Sequence, residues 1–237
     1  MKKILLYLLL FPSLVVAQDY IDLFKIGYGK TLDNSFANTS ENTELTTFDA
    51  NLTLPIPIND KHTFITGTAF SYSNLQLFPN ANYSSLYSST LKIGLASTFN
   101  EKWSSTVVLL PKLSSDYKNI SGNDFYFGGY AVLKLKKKEN LIYRFGFYAS
   151  SEAFGIFSTP IIGWYYLSPN QKFEMDMSLP IAADINYKLS FATVGVDYYG
   201  IGRSYNLNQG TLPQQYVDQS SLDFLGYFQF NTFKNTV

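Results

Sequence analysis

The chain has 237 residues, no cysteine, and 18 basic against 18 acidic side chains. That balance leaves no electrostatic footprint for nucleic acid, and the lack of cysteine excludes disulfides, thiolate metal sites and a lipid-modified cysteine behind a leader. Charged residues are 15% and aromatics 17% of the chain, and a mean hydropathy of −0.03 is too polar for a bundle of membrane helices; few charges and many aromatics suit a surface that is half lipid-facing and half wet.

The N-terminus carries the first signal. Lys2 and Lys3 precede an apolar run, Ile4 to Val16, which leads into Ala17. At about thirteen residues the run is short of the ~20 that a spanning helix needs, and Pro12 interrupts it. This pattern predicts a signal peptide over residues 1–17, with 18–237 as one domain. N-terminal sequencing or intact mass of envelope protein is expected to find Gln18 first. Retention of Met1 to Ala17 would make the segment an anchor and overturn the compartment.

Beyond Ala17 no apolar run is long enough to span a bilayer as a helix, and no 3.6-residue periodicity persists. Short segments alternate apolar and polar residues instead. In Thr46 to Leu54, Phe48, Ala50, Leu52 and Leu54 share one face, with Thr47, Asp49, Asn51 and Thr53 on the other. Leu141 to Phe147 and Phe173 to Leu179 repeat the pattern, as does the final face of Leu222, Phe224, Phe228 and Phe230. The alternation predicts about twelve strands, near 20–28, 44–54, 63–73, 86–99, 103–113, 125–136, 141–150, 161–167, 172–179, 184–188, 191–200 and 221–231.

The connections alternate too. Short ones sit at Asn100 to Lys102, Lys136 to Asn140 and Ser168 to Gln171; long ones at Lys30 to Thr43, Asn74 to Ser85, Ser114 to Asp124 and Gly202 to Ser220. Transmembrane barrels have short turns on the periplasmic side and long loops outside. The connection at 180–183 is short where a long loop is due. Trp103, Trp164, Tyr165 and Tyr166 fall near strand ends, where interfacial girdles sit. Open strand edges do not survive in lipid, so the first strand, near Tyr20 to Tyr28, is expected to pair with Ser221 to Asn231.

Few residues invite chemistry. His62 is the single histidine, which excludes a histidine-cluster metal site. It could serve one of many serines, but it lies beside the turn expected at Pro55 to Lys61, and the spacing supplies no triad. On the polar faces Arg144, Glu174 and Asp176 predict a lumen charge network. Gly163 is the inward position on the intervening strand, so Arg144 can reach across to either Glu174 or Asp176. Acid–base work by the two carboxylates is the rival to that structural role. The runs Gly27-Tyr28-Gly29 and Gly200-Ile201-Gly202 lack a βαβ context and read as strand bends or loop edges. No catalytic, cofactor-binding or metal-ligating set is predicted.

Four stretches, Trp103 to Asp116 (WSSTVVLLPKLSSD), Asp124 to Tyr130 (DFYFGGY), Tyr143 to Gly155 (YRFGFYASSEAFG) and Leu179 to Leu189 (LPIAADINYKL), carry a family resemblance. The chain resembles the uncharacterised outer-membrane β-barrel proteins of Bacteroidota, catalogued only as a domain of unknown function. The resemblance implies a barrel and a compartment, and brings no catalytic residue and no substrate. Members run longer, which implies fourteen strands in complete relatives.

The fold class expected is therefore all-β: a transmembrane antiparallel up-and-down barrel of about twelve strands in the outer membrane of a Gram-negative cell. Its expected partners are outer-membrane lipid and, during insertion, the barrel-assembly machinery, with no nucleic acid, no cofactor and a solute that the residues do not name. Its role is expected to be that of a passive pore, a ligand-binding barrel or a structural barrel. The alternatives are an outer-membrane barrel enzyme hydrolysing lipid or peptide, and a soluble periplasmic β-protein.

Overall fold

A computed structural model of the chain describes residues 23–208 and 215–230. The signal peptide, the Gln18 N-terminus and the outer ends of the first and last expected strands lie outside them. The described residues form one antiparallel sheet of twelve strands plus a small hairpin. In chain order these are β1 (Phe24–Lys30), the hairpin β2 (Asn34–Ser35) and β3 (Asn42–Thr43), β4 (Thr46–Asn59), β5 (His62–Gln76), β6 (Tyr83–Thr98), β7 (Trp103–Ser115), β8 (Phe125–Lys138), β9 (Leu141–Glu152), β10 (Gly155–Leu167), β11 (Phe173–Leu179), β12 (Ala182–Lys188), β13 (Ala192–Leu207) and β14 (Gln215–Phe230). Each main strand pairs with its sequence neighbours, so the topology is up-and-down.

Period-2 alternation divides the sheet into two unlike faces. On one, Leu133, Phe145, Ile162 and Leu179 stand in register across β8 to β11, all exposed. Leu95, Val107 and Phe147 extend the apolar row over β6, β7 and β9. On the same face Val194 and Phe228 form an exposed pair on β13 and β14, in register through Tyr187 with Phe173 at the other end of β11. The other face is polar, half-buried and concave. Its curvature is visible in contacts between distant strands: Arg203 of β13 reaches Asp49 of β4 at 2.8 Å and Ser71 of β5 at 2.6 Å, and Ser204 is bonded from Ser114 of β7 at 2.6 Å.

Several strands run longer than the alternation alone implies. β4 continues through Pro55 and Pro57 to Asn59, so the turn expected over Pro55 to Lys61 shrinks to Asp60 and Lys61. Thr53 donates its N–H to the carbonyl of Leu23 at 2.9 Å. Pro55 and Pro57 follow at even spacing and aim their missing N–H toward that same edge, beyond the last described β1–β4 pair, Phe24 opposite Leu52. Pro111 of β7 sits where the β6–β7 register is interrupted between Leu109 and Lys112. Pro160 lies in the stretch of β10 that no β11 residue accompanies.

The order of long and short connections is also incomplete. β9 and β10 are joined by Ala153 and Phe154 alone, and the β11–β12 hairpin by Pro180 and Ile181. The loop expected at Gly202 to Ser220 is mostly strand, since β13 runs to Leu207 and β14 starts at Gln215. Strands β11 and β12 have 7 residues each, beside 13 in β10 and 16 in β13. Past Tyr199, β13 therefore has no β12 partner. It bends over the concave face instead, until Asn206 bridges Ser115 of β7 in parallel. Tyr205 and Leu207 then bury with Leu86 against Leu75, Leu77 and Val217. This small apolar core caps one end of the concavity. The expected seam is not formed among the described residues: β1 pairs with β4 and β14 with β13, and no ladder joins β1 to β14.

Candidate functional site

The concave face holds two polar clusters. The first lies at mid-height on β9 to β14. Arg144 is buried, and its guanidinium makes a forked ion pair with Asp176 of β11, with NH2 to Oδ2 at 3.1 Å and a further bond from NH1 to Ser178 at 3.3 Å. The intervening strand contributes Gly163, opposite both Arg144 and Ser178. A Cβ there would meet the carbonyl oxygen of Met177 at 1.9 Å, so no side chain can stand under the crossing. Glu174, the other carboxylate considered for Arg144, sits elsewhere: its partner is Lys188 of β12 at 2.6 Å.

Asp176 is the first of three aspartates in a row. It stands directly opposite Asp184 of β12, which stands directly opposite Asp197 of β13. Like charges so placed repel, and the fold supplies donors. Tyr227 of β14 leans over Gly195 of β13 to donate its hydroxyl to Asp184 at 2.7 Å, and Asn186 donates to the other oxygen of Asp184 at 2.6 Å. A Cβ on Gly195 would meet the Tyr227 ring at 2.3 Å. The two crossings share one device, an inward glycine between a long donor and an aspartate two strands away. Asp184, Asp197, Gly195 and Tyr227 escaped the sequence reading. Their signal was an inward acid on each of three consecutive strands, and it is weak without the register.

The second cluster is deeper and lies under the bent end of β13. Glu152 of β9 forms a buried ion pair with Lys112 of β7 at 2.7 Å and accepts from Ser150 at 2.8 Å and from Ser204. The Lys112 ammonium also sits 5.4 Å from the centre of the Tyr126 ring. Asp124, in a single 3-10 turn at Gly122–Asp124, closes a capping box with Ser121 and accepts from Asn206 at 2.7 Å. These contacts fix the end of β13 to β7, β9 and the turn before β8. Chemically the two clusters can hold the concave face in one shape and can bind charged groups.

His62 starts β5, half-buried, and its Nδ1 lies 3.0 Å from the hydroxyl of Ser97. The two residues are direct cross-strand partners, so the contact is what the ladder imposes. Asn59 takes the backbone N–H of His62 at 2.9 Å, as a tight turn requires. No carboxylate contacts the ring among the described residues. His62→Gln is therefore expected to lower stability by about 1 kcal/mol or less, the contribution of one half-exposed turn hydrogen bond, and to leave any binding or hydrolytic activity of the folded wild type within about twofold. Loss of an activity in a folded His62→Gln protein would assign catalysis to the His62–Ser97 pair. Gly27 and Gly29 lie inside β1 and Gly200 and Gly202 inside β13, so neither glycine run forms a phosphate loop.

None of the curated proteins matches the chain. The chain belongs to the family described as a domain of unknown function (DUF6268), whose model matches residues 13–199 and ends at the residue where β13 leaves its β12 partner.

Proposed function

We propose that the protein is an outer-membrane β-barrel of a Gram-negative cell, occluded at one mouth by its own β13–β14 hairpin, with a structural or ligand-binding role. The observation that carries the membrane reading is the exposed apolar row running in register from strand to strand. Soluble monomers rarely expose contiguous apolar patches beyond a few hundred Å². A belt of that kind opposite a polar, charged concave face is the pattern of a barrel in lipid. A soluble periplasmic β-protein would need the same side chains packed against a second layer, and here they are the exposed set.

The occluded mouth favours a binding or structural role over a passive pore. Tyr205, Leu86 and the buried network around Ser204 and Asn206 occupy the space that a solute would cross. Lipid as the outer partner, and the barrel-assembly machinery as the route of insertion, follow from this reading.

Closure belongs to the proposal too, because the free edges of β1 and β14 would leave unpaired backbone groups in lipid at several kcal/mol each. The protein is expected in the outer-membrane fraction with heat-modifiable migration on a gel, and single-channel recording should find little conductance. Cysteine pairs placed at Ile26 and Phe224 and at neighbouring registers should crosslink, in a chain with no cysteine of its own. Recovery in the soluble fraction without detergent would overturn the membrane reading. Failure to crosslink at every register would overturn closure, and a large steady conductance would overturn the occluded mouth.

A further inference from the structure

The rim of the sheet where β4–β5, β6–β7, β8–β9 and β10–β11 turn is rich in lysine. Lys61 lies in the first of these turns, Lys102 in the second, Lys137 and Lys138 just before the third and Lys172 in the fourth, and all five are exposed. Backbone bonds tie each of these turns to the strand after its hairpin. The Thr98 N–H donates to the carbonyl of Lys61 at 2.8 Å, that of Lys136 to Lys102 at 2.8 Å and that of Lys188 to Lys172 at 2.7 Å. The lysines therefore follow one another along the rim from β4 to β12 as a single collar.

Two neighbouring lysines are neutralised, Lys136 by Glu139 and Lys188 by Glu174, each at 2.6 Å. The five of the collar make no ion pair among the described residues. Asp60 and Glu101 are the other acids of these turns, so cations stay in surplus. The opposite rim carries the reverse: Asp33, Glu41 and Asp218 are exposed, while Lys30 and Lys118 are matched by Glu44 and Asp116. An independent feature adjoins the collar on the apolar face. Trp103, Leu135, Tyr143 and Trp164 stand in register across β7 to β10, one step nearer the turns than Leu133, Phe145 and Ile162. Tryptophan and tyrosine favour the level of lipid headgroups.

We propose that this collar binds the headgroups of anionic phospholipid in the leaflet at its rim, an inference that rests on the membrane reading. Lysine suits that partner, because its four-carbon stem lies along apolar surface while the ammonium reaches the level of the phosphates. Clustered lysines beside a bilayer draw anionic lipid in preference to zwitterionic lipid. The collar crowns the row from Trp103 to Trp164, so an acyl chain lying on that row brings its own headgroup to the lysines. The phosphate then supplies the negative charge that the protein leaves out. A soluble polyanion would be met by charge alone and would make no use of the aromatic row.

Trp103 and Trp164 are the two tryptophans of the chain, so its own fluorescence reports on lipid beside the collar. The full chain is refolded into phosphatidylcholine vesicles that hold a minor share of phosphatidylglycerol. Either lipid is then supplied brominated on its acyl chains, at the same mole fraction. Brominated phosphatidylglycerol is expected to quench at least about twofold more strongly than brominated phosphatidylcholine. Salt at roughly 1 M should erase the preference, since the screening length there is about 3 Å. Lys102→Gln, Lys137→Gln, Lys138→Gln and Lys172→Gln combined should abolish it at low salt, while Lys30→Gln, at the opposite rim, should keep it. The salt arm uses wild-type protein and so stands even if the combined variant does not fold. Equal quenching by the two lipids at low salt would overturn the collar and leave the membrane reading in place. A preference that survives high salt, or persists in the folded combined variant, would overturn it as well. No quenching by either lipid would sink both readings together.

Discussion

Arg144→Met is expected to destabilise the protein by about 2–3 kcal/mol, between the roughly 3–5 of a broken desolvated pair and the roughly 1 of an exposed one. The intermediate figure follows from the pair's unequal burial, with side-chain exposures of 9% for Arg144 and 44% for Asp176. Losing the cation also takes the counter-charge from Asp176, which stands directly opposite Asp184. Asp176→Asn strands a buried guanidinium but relieves the Asp176–Asp184 repulsion, so its cost should be the smaller of the two. Chemical denaturation of Arg144→Met, Asp176→Asn and the double variant gives the coupling, expected to be about 1 kcal/mol or more. Additive effects would show that the fork contributes nothing. Arg144→Lys should recover part of the loss, because it keeps the charge and forfeits the bidentate geometry. Glu174→Gln should not couple to Arg144, since its partner is Lys188.

Phe145→Arg is the sharpest test of what the apolar face meets. Phe145 is 49% exposed, flanked in register by Leu133 and Ile162. If lipid covers that face, an arginine there should cost about 2–4 kcal/mol near the bilayer midplane, measured by unfolding from vesicles. If water covers it, the same change falls within about 0.5 kcal/mol, as exposed substitutions do. Phe145→Leu should be near neutral in either case and controls for lost area. The two outcomes are far enough apart for one equilibrium measurement to separate them.

Much of this architecture is written in local pattern. Alternation alone determined the strand count and the face of each strand, because successive side chains point to opposite sides whatever the strand pairs with. It also put Arg144, Gly163 and Asp176 on one face, and the short connection at 180–183 was visible as an anomaly. What the pattern could not decide was register. Whether Arg144 meets Asp176 or Glu174 depends on which residues of β9, β10 and β11 stand opposite one another, and a slip of two residues would keep every face and exchange the partners. The length of β4 was hidden because proline cannot donate to a ladder and so speaks against a paired strand. The bend of β13 was hidden for a related reason. Its cause lies in β11 and β12, whose shortness removes the partner that would have held β13 straight. Asp116, Asp124, Asn206 and Asn208 converge only after that bend, since contacts between residues some ninety positions apart are set by sheet curvature and not by any spacing along the chain.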